Sequence, residues 1–433
     1  MTRFFLKLLV FSLIYQCQLS ILNAQEEENT PLFYENHIYK ESIHTPILCR
    51  SGAEMTYPIL YLNSIETLTL SFDDFTDETS QYYYTIYHCN SDWKPTQISQ
   101  MEYIDGFIEN PVTKFQYSFN TLQPYVHYDL IFPNENMKPK ISGNYLLLVY
   151  EDSDTSLKVL TKRFMITEAM TEIKPIVKRA TQIDKMKSHQ EVDFNLVNSF
   201  NCRDPFQEIK PVILQNGNWN LAVKGLKPLY VKEDELIYDY EEENIFGGGS
   251  EFRYVDIKSV RYQSDRVAKL EYVKPIFHVS IVTDEPRRFK VYLNWQDIDG
   301  KFLIKNSDAN ESSTEADYVM LHFSLKTYKP YVQGKIYVNG WFNDWSTDEK
   351  YELKYNEAED AYTGEALVKQ GYYNYLYAFV DSSGVPDYSM IEGNHYETEN
   401  EYLILVYYHP FASQYERLTG YKIINSNNVV FKF

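Results

Sequence analysis

Short runs in which apolar and polar residues alternate recur along almost the whole chain, separated by clusters of Asp, Asn, Ser and Gly. A period of two puts successive side chains on opposite faces and predicts half-buried β-strands. The first set covers residues 68–72, 82–87, 115–119, 145–150 and 163–166. Between them lie the turn signals Asp73-Asp74, Asn90-Ser-Asp92, Pro133-Asn-Glu-Asn136 and Ser142-Gly143-Asn144. A second set covers 190–196, 210–214, 253–257, 278–282 and 290–293, and a third 318–325, 335–339 and 372–380. The polar stretch 306–316 reads as an exposed linker, and Gly247-Gly248-Gly249-Ser250 as a flexible loop. A glycine run cradles phosphate only between a strand and a helix, and here a strand-like run follows. With no sustained helical periodicity, the expected fold is all-β, built from three tandem β-sandwich domains. Their expected boundaries are 25–168, 169–315 and 316–433.

Composition supports this reading. A chain of 433 residues allows about three domains at roughly 150 residues each. The 40 Tyr and 25 Phe outnumber the 16 Gly, which favours pleated, half-buried surfaces. Lys plus Arg is 41 against 61 Asp plus Glu, so the formal charge of −20 argues against nucleic-acid binding. Residues 1–24 read as a signal peptide, with Arg3 and Lys7 before an apolar stretch over 8–15 and cleavage after Ala24. That stretch is too short to span a bilayer, and no other run of about 18 apolar residues occurs. Cys17 follows Tyr15 and Gln16, a poor context for lipidation. Beyond the leader remain Cys49, Cys89 and Cys202, an odd number that leaves at least one unpaired. A Cys49–Cys89 bridge and three buried thiols are both open.

Catalytic motifs are absent: no nucleophile elbow, no His-Glu-x-x-His pair and no phosphate loop. His88 and Cys89 are strand neighbours that point to opposite faces, which argues against a thiolate pair. The carboxylate pairs Asp73-Asp74, Asp77-Glu78, Asp152 with Asp154 and Asp297 with Asp299 are expected by chance among 61 acidic residues. Asp297-Ile-Asp299-Gly300 lacks the later ligands of a calcium loop. No cofactor, metal or catalytic residue is therefore assigned. One turn, Trp341-Phe-Asn-Asp-Trp345, has the aromatic pair that a sugar-stacking platform needs. It resembles the early-set sandwiches of glycogen- and starch-binding modules, so carbohydrate binding through Trp341 and Trp345 is the alternative function.

Several phrases in order resemble the type IX secretion system plug protein family of the Bacteroidota. They are Leu70-Ser-Phe-Asp-Asp-Phe75, Tyr87-His-Cys-Asn-Ser-Asp-Trp93, Glu102-Tyr-Ile-Asp-Gly-Phe107, Ser142-Gly-Asn-Tyr-Leu146 and Lys369-Gln-Gly-Tyr-Tyr373. The resemblance implies immunoglobulin-like or early-set-like sandwiches in a non-enzymatic periplasmic protein. It implies one partner, the large outer-membrane translocon barrel, whose periplasmic end the plug would seal while no cargo is in transit. Attachment to the inner side of the outer membrane would then run through that partner, with no span of its own and no nucleic acid. Asp73, Asp74, His88, Cys89, Trp93, Gly106, Gly143 and Gly371, which stand in these phrases, are expected to be fold-keeping turn and core residues.

Overall fold

The computed structural model describes residues 30–427 apart from 77, 199, 201 and 234. The expected leader with Cys17, and Asp77 of the carboxylate pairs, lie outside the described residues. Strand makes up 47% of the structure and helix 6%, so the fold is all-β.

Alternation builds the outer strands. In Leu68–Asp74, Leu68, Leu70 and Phe72 point into a core while Thr69 and Ser71 are half-buried. The strand belongs to a four-stranded sheet ordered Ile43–Arg50, Leu68–Asp74, Val126–Phe132, Lys114–Tyr117. Opposite it lie His37–Ile38, Lys158–Thr167, Gly143–Glu151, Tyr82–Cys89 and Asn110–Pro111, with Ile59–Tyr61 parallel to Lys158–Thr167. Phe72, Tyr82, Tyr128, Tyr145, Leu147 and Phe164 fill the space between the two sheets.

Gly143–Glu151 is buried almost end to end, and the parity of its contacts shows why. Tyr145, Leu147 and Val149 face the first core, whereas Leu146 joins Tyr57, Met165, Val212, Leu214 and Leu405 on the other side. That second cluster packs the sheet onto another, ordered Val223–Lys224, Ile209–Gln215, Glu401–Tyr408, Arg417–Asn425. Ile213, Tyr402, Ile404 and Val406 then face a fourth sheet carrying Thr171–Arg179, His189–Asn198, Glu235–Tyr238 and Tyr230–Lys232. Sheets buried on both faces read as continuous apolar runs rather than alternating ones, as Glu401–Tyr408 does.

The remaining sheet has ten strands, along the path Arg253–Asp256, Gly371–Asp381, Gly334–Asn339, Glu352–Asn356, Ala361–Lys369, Tyr318–Lys326, Ile276–Ile281, Val267–Val273. It surrounds a core that includes Val255, Val279, Phe323, Ile336 and Tyr375.

Among the described residues, strand pairing crosses the position expected as a boundary at 315/316 but not that at 168/169. Ile209–Gln215 pairs along its length with Glu401–Tyr408, nearly 200 residues later, while Arg253–Asp256 pairs with Gly371–Asp381. Linker composition is silent on such pairing because the ladder bonds are made by backbone. The supposed linker 306–316 is also not free: Phe119 N–H donates to Thr314 O and Tyr125 OH to Ala316 O. The glycine run, expected as a flexible loop, is packed against two neighbouring segments: Gly248 N–H donates to Ser188 O and His395 N–H donates to Gly249 O. A side chain on Gly248 would stand 2.0 Å from His395 O, so glycine there allows two backbones to touch.

Candidate functional site

Asp73 and Asp74, expected as a turn, instead end the strand Leu68–Asp74, paired with His44 and Ile43 on one side and His127 and Val126 on the other, and form a buried junction. Asp73 accepts from His127 Nδ1, from Tyr318 OH and from Lys369 Nζ, each at 2.6 Å. Tyr318 and Lys369 come from the ten-stranded sheet, so one carboxylate ties that sheet to the first sandwich. Lys369 Nζ also donates to Ser313 O at 2.7 Å and lies 4.2 Å from the centre of the Tyr125 ring. Burial pushes the Asp73 carboxyl up, but Lys369 and His127 outweigh it and hold it below its ordinary value. Removing one partner of such a buried pair costs about 3–5 kcal/mol, because the other charge is left alone. Asp74 acts locally, accepting from Tyr82 OH at 2.5 Å and from Thr76 N–H at 3.2 Å.

The other family-phrase residues sit at close approaches. His88 bonds Thr96 Oγ1 at 3.0 Å and Ser142 O at 3.1 Å, and burial pushes its ring down to about 4. Gly143 has φ +143, and a Cβ there would stand 2.3 Å from His88 Nε2. A Cβ on Gly106 would stand 2.1 Å from Asn136 O, and one on Gly371 2.2 Å from Leu303 O. Cys89 is buried and its thiol is pushed up to about 12 by burial, so it is no nucleophile at neutral pH. Cys49, Cys89 and Cys202 are all free thiols. Trp93 packs edge-on against Trp219 at 5.3 Å and lies under the Arg163 guanidinium at 4.5 Å. Arg163 was not singled out by the sequence. It also donates from Nε to Tyr34 O at 2.8 Å, which straps the N-terminal segment to the sandwich.

Trp341 and Trp345 do not form a sugar platform. Trp345 is only 6% exposed and packs against Phe252 and Tyr388. Trp341 is half-buried, donates from Nε1 to Asn216 O at 2.8 Å and leans on Tyr57 and Gly217. The turn joins the ten-stranded sheet to the layered sheets. Both rings are engaged in packing within the protein, which argues against the carbohydrate reading.

The remaining polar clusters are also tied up within the protein. Among the described residues, one group of three carboxylates, Glu191, Asp193 and Asp239, brings its oxygens within 4.8 Å. Lys178 Nζ already occupies it, at 3.0, 2.6 and 3.6 Å from the three. Asp297 and Asp299 are raised by burial to about 6 and about 7. Asp297 accepts from Phe252 N–H at 2.5 Å and Asp299 N–H at 2.8 Å, the role of a turn-closing carboxylate. Arg253 is buried between Asp284, at 2.7 Å, and Glu392, at 3.0 Å.

A model of the first domain of type 9 secretion system plug proteins matches residues 43–168. A crystal structure of a hypothetical protein from Parabacteroides merdae ATCC 43184 is 34% identical and covers 91% of this chain and 100% of its own, with a TM-score of 0.88. The chain belongs to the type IX secretion system plug family. No curated protein matches it.

In this plug-family protein the matched segment coincides with the first sandwich. That sandwich ends in the edge strand Lys114–Tyr117, exposed at all four positions, with Phe115 and Tyr117 among them. Phe107 and Phe119 are exposed as well. Family membership gives the protein a role associated with type IX secretion. No helix of the described residues is long and apolar enough to cross a membrane, a statement that does not extend to strands.

Proposed function

We propose that this protein is a non-enzymatic periplasmic plug. It binds the periplasmic end of the type IX outer-membrane translocon barrel and seals it while no cargo is in transit. The observation that carries this reading is the family match over residues 43–168. The structure supplies a body suited to sealing, since the sandwich is tied to the ten-stranded sheet through Asp73 and to the layered sheets through Tyr57, Leu146 and Met165. A plug must resist distortion across a wide opening, and interlocked sheets do so better than linked independent modules. It also needs a contact of about 1,200–2,000 Å² or more rather than reactive groups.

The test compares uptake of a large antibiotic that the outer membrane normally excludes, in cells with and without this protein. Loss of the protein is expected to raise uptake, and only while the barrel is present. Equal uptake with the barrel intact would sink the sealing role.

A further inference from the structure

The outward face of the ten-stranded sheet carries two histidines side by side. In Tyr318–Lys326, Val319, Leu321 and Phe323 point into the core, so Met320, His322 and Ser324 point away from it. Ile276–Ile281 runs parallel to this strand, with His278 opposite Met320 and Ser280 opposite His322. Val279 lies in the core, so His278 shares the outward face. His278 Nδ1 and His322 Nε2 are 2.8 Å apart, and the two ring planes are inclined by only 21°. On the next strand Glu365 stands opposite His322, and its Oε2 lies 3.5 Å from His322 Nδ1. That carboxylate favours a proton on Nδ1, which leaves the lone pair of His322 on Nε2, and His278 Nδ1–H donates to it. Two ring nitrogens from neighbouring strands therefore converge on one point, with a carboxylate behind one of them.

We propose that His278 and His322 bind a divalent transition-metal ion of the zinc kind, with Glu365 holding His322 in the ligating tautomer. The proposal stands independently of the plug reading. Imidazole nitrogen suits zinc, copper and nickel, whereas magnesium and calcium prefer oxygen ligands. Zinc–nitrogen bonds of about 2.0–2.1 Å meeting at about 90–110° place two nitrogens about 2.9–3.4 Å apart. From 2.8 Å the pair has only to open by a few tenths of an ångström and tilt toward solvent. The His322 side chain is 33% exposed, which leaves room for that tilt and for water in the remaining positions of the ion. A carboxylate behind a ligating histidine is the usual device that fixes its tautomer and ring orientation. The metal takes the place of the shared proton: His278 loses its proton at Nδ1 to water and takes one up at Nε2, so no net proton is released. The hairpin of Val267–Val273 and Ile276–Ile281 joins the sheet at Tyr318–Lys326, and an ion held by both histidines fastens that edge. The carboxylate group at Glu191, Asp193 and Asp239 offers oxygen alone and is held by Lys178, so it does not compete for such an ion.

The test is calorimetric titration of the full mature chain, free of any histidine tag, with Zn²⁺ and separately with Mg²⁺. A single Zn²⁺ is expected to bind, and Mg²⁺ not to compete with it. His278→Gln and His322→Gln are each expected to weaken Zn²⁺ binding about tenfold or more, and Glu365→Gln to weaken it by less. Zn²⁺ is also expected to raise the Tm of the wild-type protein and to leave that of the two histidine variants unchanged. Melting without metal checks that the variants fold. A readout on the wild-type protein alone is carbethoxylation of its histidines, mapped by mass. Zn²⁺ is expected to protect His278 and His322 together and to leave the other histidines reactive. Absence of saturable Zn²⁺ binding, equal binding by the folded histidine variants, equal competition by Mg²⁺, or failure of Zn²⁺ to protect His278 and His322 would each overturn the metal site.

Discussion

Single residues carry most of the joints between sheets, and several carboxylates do so at a cost. Asp299 is the clearest. Burial raises its carboxyl to about 7, with Glu401 adding to the rise and Lys301 opposing it, and one of its oxygens is buried without a partner among the described residues. A carboxyl raised above its unfolded value of about 3.9 favours the fold while protonated. Its contribution is complete below that value and is lost as pH rises through about 7. Asp299→Asn removes the ionisation and keeps a side chain that tolerates the φ of 53 found there. The variant is expected to be more stable than wild type by about 2 kcal/mol at pH 8, with the gap closing near pH 4. Urea unfolding at the two pH values measures this; an equal gap at both would show that charge is not the cause.

At the scale of elements, close backbone approach decides which strands can pair. Gly371 begins the long strand Gly371–Asp381, and Phe302–Ile304 adds to it with Ile304 opposite Gly371. A methyl group at Gly371 would meet Leu303 O at 2.2 Å, and that oxygen belongs to backbone that cannot rotate away. Gly371→Ala is therefore expected to cost about 2–4 kcal/mol, the range of overpacked or strained sites. Thermal melting would show it as a lower Tm; an unchanged Tm would mean that Phe302–Ile304 moves freely. Alternation made most strands of this kind legible in the sequence, as at 82–87 within Tyr82–Cys89 and at 318–325 within Tyr318–Lys326. It misled at 290–293, where strand character is present but no described partner lies in register.

For the whole molecule, the decisive feature is that the chain leaves the layered sheets after Ile245–Gly247, builds the ten-stranded sheet, and returns at Glu401. The returning hairpin, Glu401–Tyr408 with Arg417–Asn425, supplies the central partner of Ile209–Gln215 and part of two cores. A chain ended at residue 396 is expected to lose protection over 171–247 as well as the missing hairpin. Limited trypsin digestion followed by mass measurement would show early cuts there; resistance equal to the full chain would show that the hairpin is dispensable. Such interlocking also explains why the aromatic turn at Trp341 and Trp345 packs inward. It stands where the returning chain and the first sandwich meet, at Tyr57, Asn216 and Phe252.

The amino-acid sequence by itself determined the all-β class, the place of most strands and the family, because these depend on side-chain period, turn residues and ordered local phrases. It also marked Asp73, His88, Gly143 and Gly371 as residues that matter. Tertiary structure alone decided what they touch: Asp73 meets Lys369 and Tyr318 from a distant sheet, and Gly143 gives room to His88. The same holds for the boundaries between sheets. Period-two patterning states that a strand can form and which face it buries. It carries no information on which remote backbone completes the ladder, since every residue but proline offers the same N–H and C=O groups.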